Sequence, residues 1–507
     1  MNRIVSVLAL VLLGLVAAVP TAYTTFVHSE RAITLGAHDS TVRPTFDGFA
    51  RIDSGTLIPE IRLPAGAPAG IGVDIRLGDS EVTDIESLVA RDAVIASQPE
   101  GEIAAIRSAL TSMALDAAMR GVGVGIITVL AALLAWWAVG RTRREAIWAA
   151  ARRPRRRQVA GAAAVSGVLV ASLALVAAPD RPREERQTWV PIASVFPELP
   201  SDAVLDRLEI VEGGATAGSR AIVEGALTTY RTSVAFYGRL AETARTADVR
   251  TPEEGETTAL VVTDRHDNIG MDPVARVIAD RARARILIDL GDDTSNGASW
   301  ETFSINSLAR EFRDFDIVSV AGNHDTGRTV QKQMVDKGFR LLGGEPVTVD
   351  GIRFLGSSDP RGSGLTAGYF GDAATNSEAL KEQDAELTKA ACAAGDVSVI
   401  AVHSPSSAKL AAASGCVDLV LSGHLHRQVG PESAVGANGR TTTTLTTGST
   451  GGAVYAFALG SKLRRDAQVT IVTFAEGRAV GLQPVTFQPG GTIDVGDYQP
   501  LTPSPRE

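Results

Sequence analysis

Three stretches of this chain carry no formal charge over about 20 residues, the length of a bilayer crossing. They are Ile4–Val27, Gly121–Gly140 and Gln158–Pro179. The second contains Ile126, Ile127, Leu130, Leu133, Leu134 and the pair Trp136–Trp137, and the third is rich in Ala, Val and Leu. A buried core helix is also apolar, but flanking arginines favour membrane spans for these two. The first has its apolar density between Ile4 and Val19, after Arg3 and around the small residues Ala17, Ala18 and Ala22. It reads as a transmembrane helix or signal anchor, or as a cleaved signal peptide. Either reading starts residue 28 outside the cytoplasm.

Charge then sets orientation. Between the second and third stretches lie eight arginines, at 141, 143, 144, 152, 153, 155, 156 and 157, with Glu145 the single acid. By the positive-inside rule this loop is cytoplasmic, so 28–120 and 180–507 both lie outside. A sharper reading of the cluster is a site for anionic lipid headgroups. Gly121, Gly123 and Gly125, and Ala160 to Ala164, suit close helix packing. No acid or base interrupts these spans, which disfavours a transporter. The rest of the chain holds 41 basic against 57 acidic residues, a balance that argues against long nucleic acid as a partner. Two cysteines exclude a disulfide framework or a Cys-rich zinc module. No lysine precedes Lys332, which suggests a GC-rich bacterial genome.

The expected organisation follows: an N-terminal helix over 1–27, a small extracytoplasmic α+β domain over 28–120, and a span over 121–140. An Arg-rich loop over 141–157 leads to a third span over 158–179. A juxtamembrane connector over 180–257 then precedes an α/β domain over 258–490 and a tail over 491–507. Phe46–Leu63 alternates in short runs and predicts strands. Ile103–Met119 has helical spacing and leads straight into the second span. His28 and His38 read as surface residues, with no catalytic cluster near them. Five prolines between 179 and 200 break the connector's start, and a helix is expected over Ser219–Ala244.

From Thr258 short β-branched runs alternate with helical ones. Strands are expected at Ala259–Val262, Ile286–Leu290, Ile317–Val320, Arg353–Leu355, Val397–Val402, Val417–Leu421, Thr441–Thr446, Ala453–Phe457, Gln468–Phe474 and Val480–Thr486. Helices are expected at Pro273–Ala284, Ser304–Phe312, Thr329–Lys337 and Glu378–Ala393. This order implies an α/β domain with more than one sheet.

Polar clusters follow five of those strands: Asp264-Arg265-His266, Gly291-Asp292-Asp293, Gly322-Asn323-His324-Asp325, His403, and Gly423-His424-Leu425-His426. They hold five of the seven histidines. Open α/β sheets place ligands at strand C-termini. Carboxylate, imidazole and amide oxygen together suit borderline divalent metals such as Mn, Fe, Zn or Co. Alternation puts both ligands of Asp-x-His, and of His-x-His, on one side of an extended segment. Each cluster alone is weak, whereas five in this order are specific.

The order Asp-x-His, Gly-Asp, Gly-Asn-His-Asp, His, Gly-His-x-His resembles the calcineurin-like metallophosphoesterase superfamily over roughly residues 258–490. The resemblance implies a two-sheet sandwich flanked by helices; the uncharged stretches would attach it to a three-helix transmembrane anchor. It also implies two divalent cations. One is held by Asp264, His266, Asp292 and His426, the other by Asp292, Asn323, His403 and His424, with Asp292 bridging. Two such cations clamp a phosphoryl group and activate a hydroxide for in-line attack. His324 resembles the family's leaving-group histidine, a general acid or charge stabiliser. Asp325 either orients that imidazole or caps its loop.

Departures bear on the substrate. Protein phosphatases of the superfamily carry an arginine soon after Gly-Asp, whereas this chain has Asp293-Thr294-Ser295-Asn296-Gly297. A phosphodiester or small organic phosphate is therefore expected. Arg265 and Arg361 are replacement candidates, although alternation points Arg265 away from the metals and towards the surface. Arg361 and Asn296 are candidate substrate contacts. Gly448–Gly452 reads as a groove-lining loop or a plain turn, and Cys392 and Cys416 as a disulfide or as buried thiols. The expected protein is a multi-pass, membrane-anchored phosphoesterase with its catalytic domain outside the cytoplasm. The alternative is a metal-binding sensor or scaffold on the same fold. The sequence assigns no oligomeric state.

Overall fold

The computed structural model describes residues 3–35, 38–53, 60–80, 100–145, 188–196, 207–212, 217–298, 301–364, 368–452 and 462–505. Two compact units emerge: Met1–Glu81 with Glu102–Ala221, and Val82–Gly101 with Ile222–Glu507.

The first unit contains the helices Arg3–Val27 and Glu100–Ala138. Among the described residues these two are long and apolar enough to cross a membrane. The expected span at 158–179 and the loop from 146 onward lie outside the described residues. The two helices meet through small side chains. A Cβ on Gly121 would sit 2.6 Å from the Ala18 carbonyl oxygen, and one on Gly125 would sit 2.9 Å from that of Gly14. Gly123, expected to share this role, has no neighbour within 4 Å.

Beside them lies a seven-stranded sheet in the order β1-β2-β5-β3-β4-β7-β6. Its strands are β1 (Arg31–Leu35), β2 (His38–Thr45), β3 (Phe49–Asp53), β4 (Ile61–Pro64), β5 (Gly72–Ser80), β6 (Trp189–Pro191) and β7 (Glu209–Val211). The last two come from the segment expected to be a connector. β7 runs antiparallel to β4, pairing Ile61 with Ile210 and Arg62 with Glu209. Arg62 ties the seam: its guanidinium lies 4.3 Å from the Phe49 ring centroid and 4.4 Å from that of Trp189, and Nε donates to Glu209. Leu35, Val42, Val73, Ile75 and Met113 form a small core, with Phe26 packed against it.

The second unit is a two-sheet sandwich. One sheet has the path β11-β10-β9-β8-β20-β21-β22, with β23 also on β21. These strands are β8 (Glu256–Val262), β9 (Ile286–Asp289), β10 (Asp316–Ser319), β11 (Arg340–Leu341), β20 (Ala467–Ala475), β21 (Arg478–Phe487), β22 (Ile493–Val495) and β23 (Gln499–Pro500). β8 to β11 are parallel, and the rest pair antiparallel. The other sheet runs β12-β13-β16-β17-β19-β18. Its strands are β12 (Val347–Val349), β13 (Ile352–Gly356), β16 (Val397–Ala401), β17 (Val417–Ser422), β18 (Val429–Val435) and β19 (Thr441–Thr446).

Strands buried on both faces read as continuous apolar runs, and β8 shows why. Ala259 and Val261 join the core between the sheets, with Phe354, Val399 and Leu419 from the second sheet. Leu260 and Val262 point the other way, into the helices Met271–Arg281 and Thr302–Glu311. The second sheet buries Leu355, Ile400 and Val420 against the helices Ala373–Ala394 and Lys409–Ser414. The expected strand at Ala453–Phe457 lies outside the described residues. Cys392 and Cys416 form a disulfide joining the Ala373–Ala394 helix to the start of β17.

Candidate metal centre

All seven expected ligands follow parallel strands at their C-terminal ends. Asp264 and His266 follow β8, Asp292 follows β9, and Asn323 follows β10. His403 follows β16, and His424 and His426 follow β17. The site therefore draws on both sheets of the sandwich.

Alternation is not what brings the ligands together. Asp264, His266, Asp292, His424 and His426 all have positive φ, between 45° and 71°. Non-glycine residues rarely adopt this conformation, and it clusters at functional sites. The turns need glycine beside them. A Cβ on Gly322 would lie 2.2 Å from Asp292 Oδ1, and one on Gly423 would lie 2.7 Å from Asp264 Oδ2.

Two groups of donors result: Asp264, His266 and His426, and Asp292, His403 and His424. His266 Nε2 lies 3.0 Å from His426 Nε2, which lies 3.1 Å from Asp264 Oδ1. His403 Nε2 lies 3.2 Å from His424 Nδ1 and 3.1 Å from Asp292 Oδ2. That same Asp292 oxygen is 3.9 Å from His266 Nε2, so it faces both groups. Asn323 Oδ1 is buried and accepts no hydrogen bond, while its Nδ2 is fixed by Ser363 Oγ. A buried amide oxygen left without a donor is costly, and a cation satisfies it. The donor set fits two borderline divalent ions.

The electrostatics agree. Burial raises Asp264, yet the hydrogen bond from His426 and the charge of His403 hold it at about 2. Asp292 lies below the usual carboxylate range for the same reason, with His403 its main partner against burial. His403 is driven up to about 10, because Asp292 outweighs burial. His266 is pushed down to about 4, chiefly by burial, and His424 likewise by burial and the charge of His403.

Around the ligands, the remaining candidates make specific contacts. His324 Nδ1 lies 2.8 Å from the Ser295 carbonyl, so that nitrogen is the donor and Nε2 faces the other way. The Asp325 carboxylate accepts from the backbone N–H groups of Gly322, Asp292, Asp293 and Thr294, and from Thr294 Oγ1. Asp325 caps the loop that carries Asp292. Burial and the neighbouring Asp293 and Asp292 push it up to about 7 against those donors.

Arg265 is not on the surface. It is wholly buried, with Nε and NH2 on Asp272 and NH1 on Asp293, and it also donates to the Ser304 carbonyl. The left-handed turns at Asp264 and His266 break the alternation that pointed it outward. The Arg361 side chain is 8% exposed and forms a two-pronged pair with Asp359. The backbone N–H of Asn296 is taken by Glu301, and its side chain is half-buried. Gly448–Gly452 is buried against the Asp264 backbone: Ser449 Oγ and Gly451 N both donate to the Asp264 carbonyl.

Sequence reasoning did not single out Tyr369, whose hydroxyl lies 2.9 Å from His424 Nε2. Glu301, which accepts from three backbone N–H groups of the Ser295–Ala298 loop, was missed too. The Arg265–Asp293 pair had a signal. A cation between two ligands, with a spare acid next to a third, calls for mutual neutralisation.

Carboxylate, imidazole and amide donors gathered at the strand ends of a two-sheet sandwich define a metal-dependent phosphoester hydrolase. Residues 257–428 match the family model for calcineurin-like phosphoesterases. Among solved structures, the chain is similar to an archaeal phosphodiesterase at 14% identity, covering 43% of this chain and 93% of that one, with a TM-score of 0.24. It is similar to a dimetal phosphatase from Danio rerio at 12% identity, covering 49% and 99%, with a TM-score of 0.29. A protein from Thermus thermophilus shares 10% identity, covering 48% and 98%, with a TM-score of 0.27. No curated protein matches the chain in sequence.

Proposed function

We propose that this chain is a membrane-anchored enzyme, its active site outside the cytoplasm, that hydrolyses a phosphodiester or small organic phosphate. The observation that carries the chemistry is the convergence of seven donors from five strands, with Asp292 facing both groups. One cation would be held by Asp264, His266, Asp292 and His426, and the other by Asp292, Asn323, His403 and His424. When bound, the pair polarises the phosphoryl oxygens and activates water. His324, oriented by the Ser295 carbonyl, is the leaving-group histidine, a general acid or charge stabiliser. Asp325 and Glu301 keep the loops bearing Asp292 and Ser295 in register.

Topology has its own support. β4 and β7 are hydrogen-bonded neighbours, so residues on either side of the Glu100–Ala138 helix share one side of any membrane. If that helix crosses, the chain returns before Trp189, and the uncharged run at 158–179 is the segment suited to it. The arginines between them favour a cytoplasmic loop. The Cys392–Cys416 bond favours an oxidising compartment for the second unit. The first helix reads as retained rather than cleaved, because Gly14 and Ala18 pack on Gly125 and Gly121 while Phe26 joins the sheet's core.

The test is turnover by the full chain in detergent with bis-p-nitrophenyl phosphate and manganese. Hydrolysis that a chelator removes is expected. No turnover on mono- or diesters with Mn, Fe, Zn or Co would count against the proposal and revive the sensor reading.

A further inference from the structure

The phosphoesterase reading leaves open what meets the substrate beyond the cations, and the geometry points to Tyr369. We infer that its hydroxyl is a neutral donor to the second ester arm of a phosphodiester, and that Arg361 is a positioning residue acting through it.

Tyr369 sits on a short hairpin, β14 (Ser363–Gly364) and β15 (Gly368–Tyr369). The hairpin is pinned to the site at its first residue: Ser363 N donates to the Asn323 carbonyl, and Asn323 Nδ2 donates to Ser363 Oγ. At its far end the Tyr369 oxygen lies 2.9 Å from His424 Nε2 and 3.0 Å from Arg361 NH1. His424 turns Nδ1 towards His403, so Nε2 is the outer nitrogen. Were Nδ1 to hold a cation, Nε2 would carry the hydrogen and donate to the phenol oxygen. Arg361 donates to the same oxygen. Two donors occupy its acceptor sites, so its own proton is directed elsewhere, and the residue is 40% exposed.

Charge decides which ester this suits. A monoester dianion carries one more negative charge than a diester. Arg265 is already neutralised by Asp272 and Asp293, and Arg361 by Asp359. Neither offers a net charge to a third phosphoryl oxygen, whereas an uncharged O–H serves an ester oxygen well. Phe370 and Leu425, the exposed sequence neighbours of Tyr369 and His424, add apolar surface for that arm.

This inference rests on the phosphoesterase reading, and the experiment separates the two. Full chain in detergent, saturated with manganese, is assayed on bis-p-nitrophenyl phosphate and p-nitrophenyl phosphate, with metal content measured. The wild type should favour the diester. Tyr369→Phe should lower diester kcat/KM roughly 3- to 10-fold, the worth of a hydrogen bond between uncharged groups. Monoester turnover and metal content should hold. Arg361→Met should shift the ratio the same way by less, and add nothing in the Tyr369→Phe background. An equal fall on both esters, or a loss of metal that accounts for the fall, would assign Tyr369 to holding His424 alone and overturn the inference. Unchanged selectivity overturns it too. No wild-type turnover overturns the phosphoesterase reading first.

Discussion

The two halves of the metal centre are held by different means. Loops from the first sheet are locked by buried charge: Arg265 joins the turn after β8 to Asp293 after β9, and Asp325 gathers the backbone of the loops after β9 and β10. Loops from the second sheet carry few such ties near the ligands. Their staple is the Cys392–Cys416 disulfide, at the opposite end of β17. His426 is 22% exposed, whereas Asp264, His266, Asp292 and His403 are sealed. The first-sheet half is thus preorganised, and in the second-sheet half His403 is sealed while the loop after β17, with His424 and His426, opens to solvent. Rigid ligands beside an adaptable rim suit a site that fixes its cations before it selects its ester.

Four variants or titrations break or sharpen this contrast. The largest effect belongs to His324, which touches the locked half through Ser295 and is the proposed leaving-group histidine. His324→Ala should lower kcat by about 10²- to 10⁴-fold, with metal content near that of the wild type. Loss of metal alongside turnover would make it structural instead. Next is Arg265→Met, which strands two buried carboxylates. Destabilisation of about 3–5 kcal/mol is expected, read by chemical denaturation, and a change below about 1 kcal/mol would show the locked half is not locked by charge.

Opening the disulfide by Cys392→Ala with Cys416→Ala should cost about 3 kcal/mol for its 24-residue separation. Diester turnover at a temperature where the protein stays folded should persist, since the staple lies far from the ligands along β17. The smallest signal is protonic. In the cation-free protein His403 is pushed up to about 10 and therefore holds a proton at pH 7. Loading manganese should displace roughly one proton or more per chain. Calorimetry in buffers of different ionisation heat measures this. Release should shrink as the pH approaches 10, where His403 loses that proton unaided.

Much of the sandwich was legible because its parallel strands are buried on both faces. Ala259–Val262, Val397–Val402 and Val417–Leu421 show this as largely β-branched or aliphatic runs. The ligands were legible because each sits just past such a run. β18 was not among the expected strands, since Gly430 and Pro431 interrupt its pattern, yet a sheet edge tolerates proline. β6 and β7, three residues each, are too short to show a period. Arg265 was misplaced because alternation assumes extended backbone, and the turns at Asp264 and His266 are left-handed. Tyr369 left no signal: one tyrosine in a glycine-rich run gains meaning only from the hairpin that folds it onto His424.

The claim beneath all of this is that one carboxylate is shared. Anomalous diffraction from crystals of the full chain grown with manganese tests it directly. Two peaks are predicted, one among Asp264, His266 and His426 and one among Asn323, His403 and His424, with Asp292 touching both. A single peak, or two peaks with Asp292 bound to neither, would contradict the account.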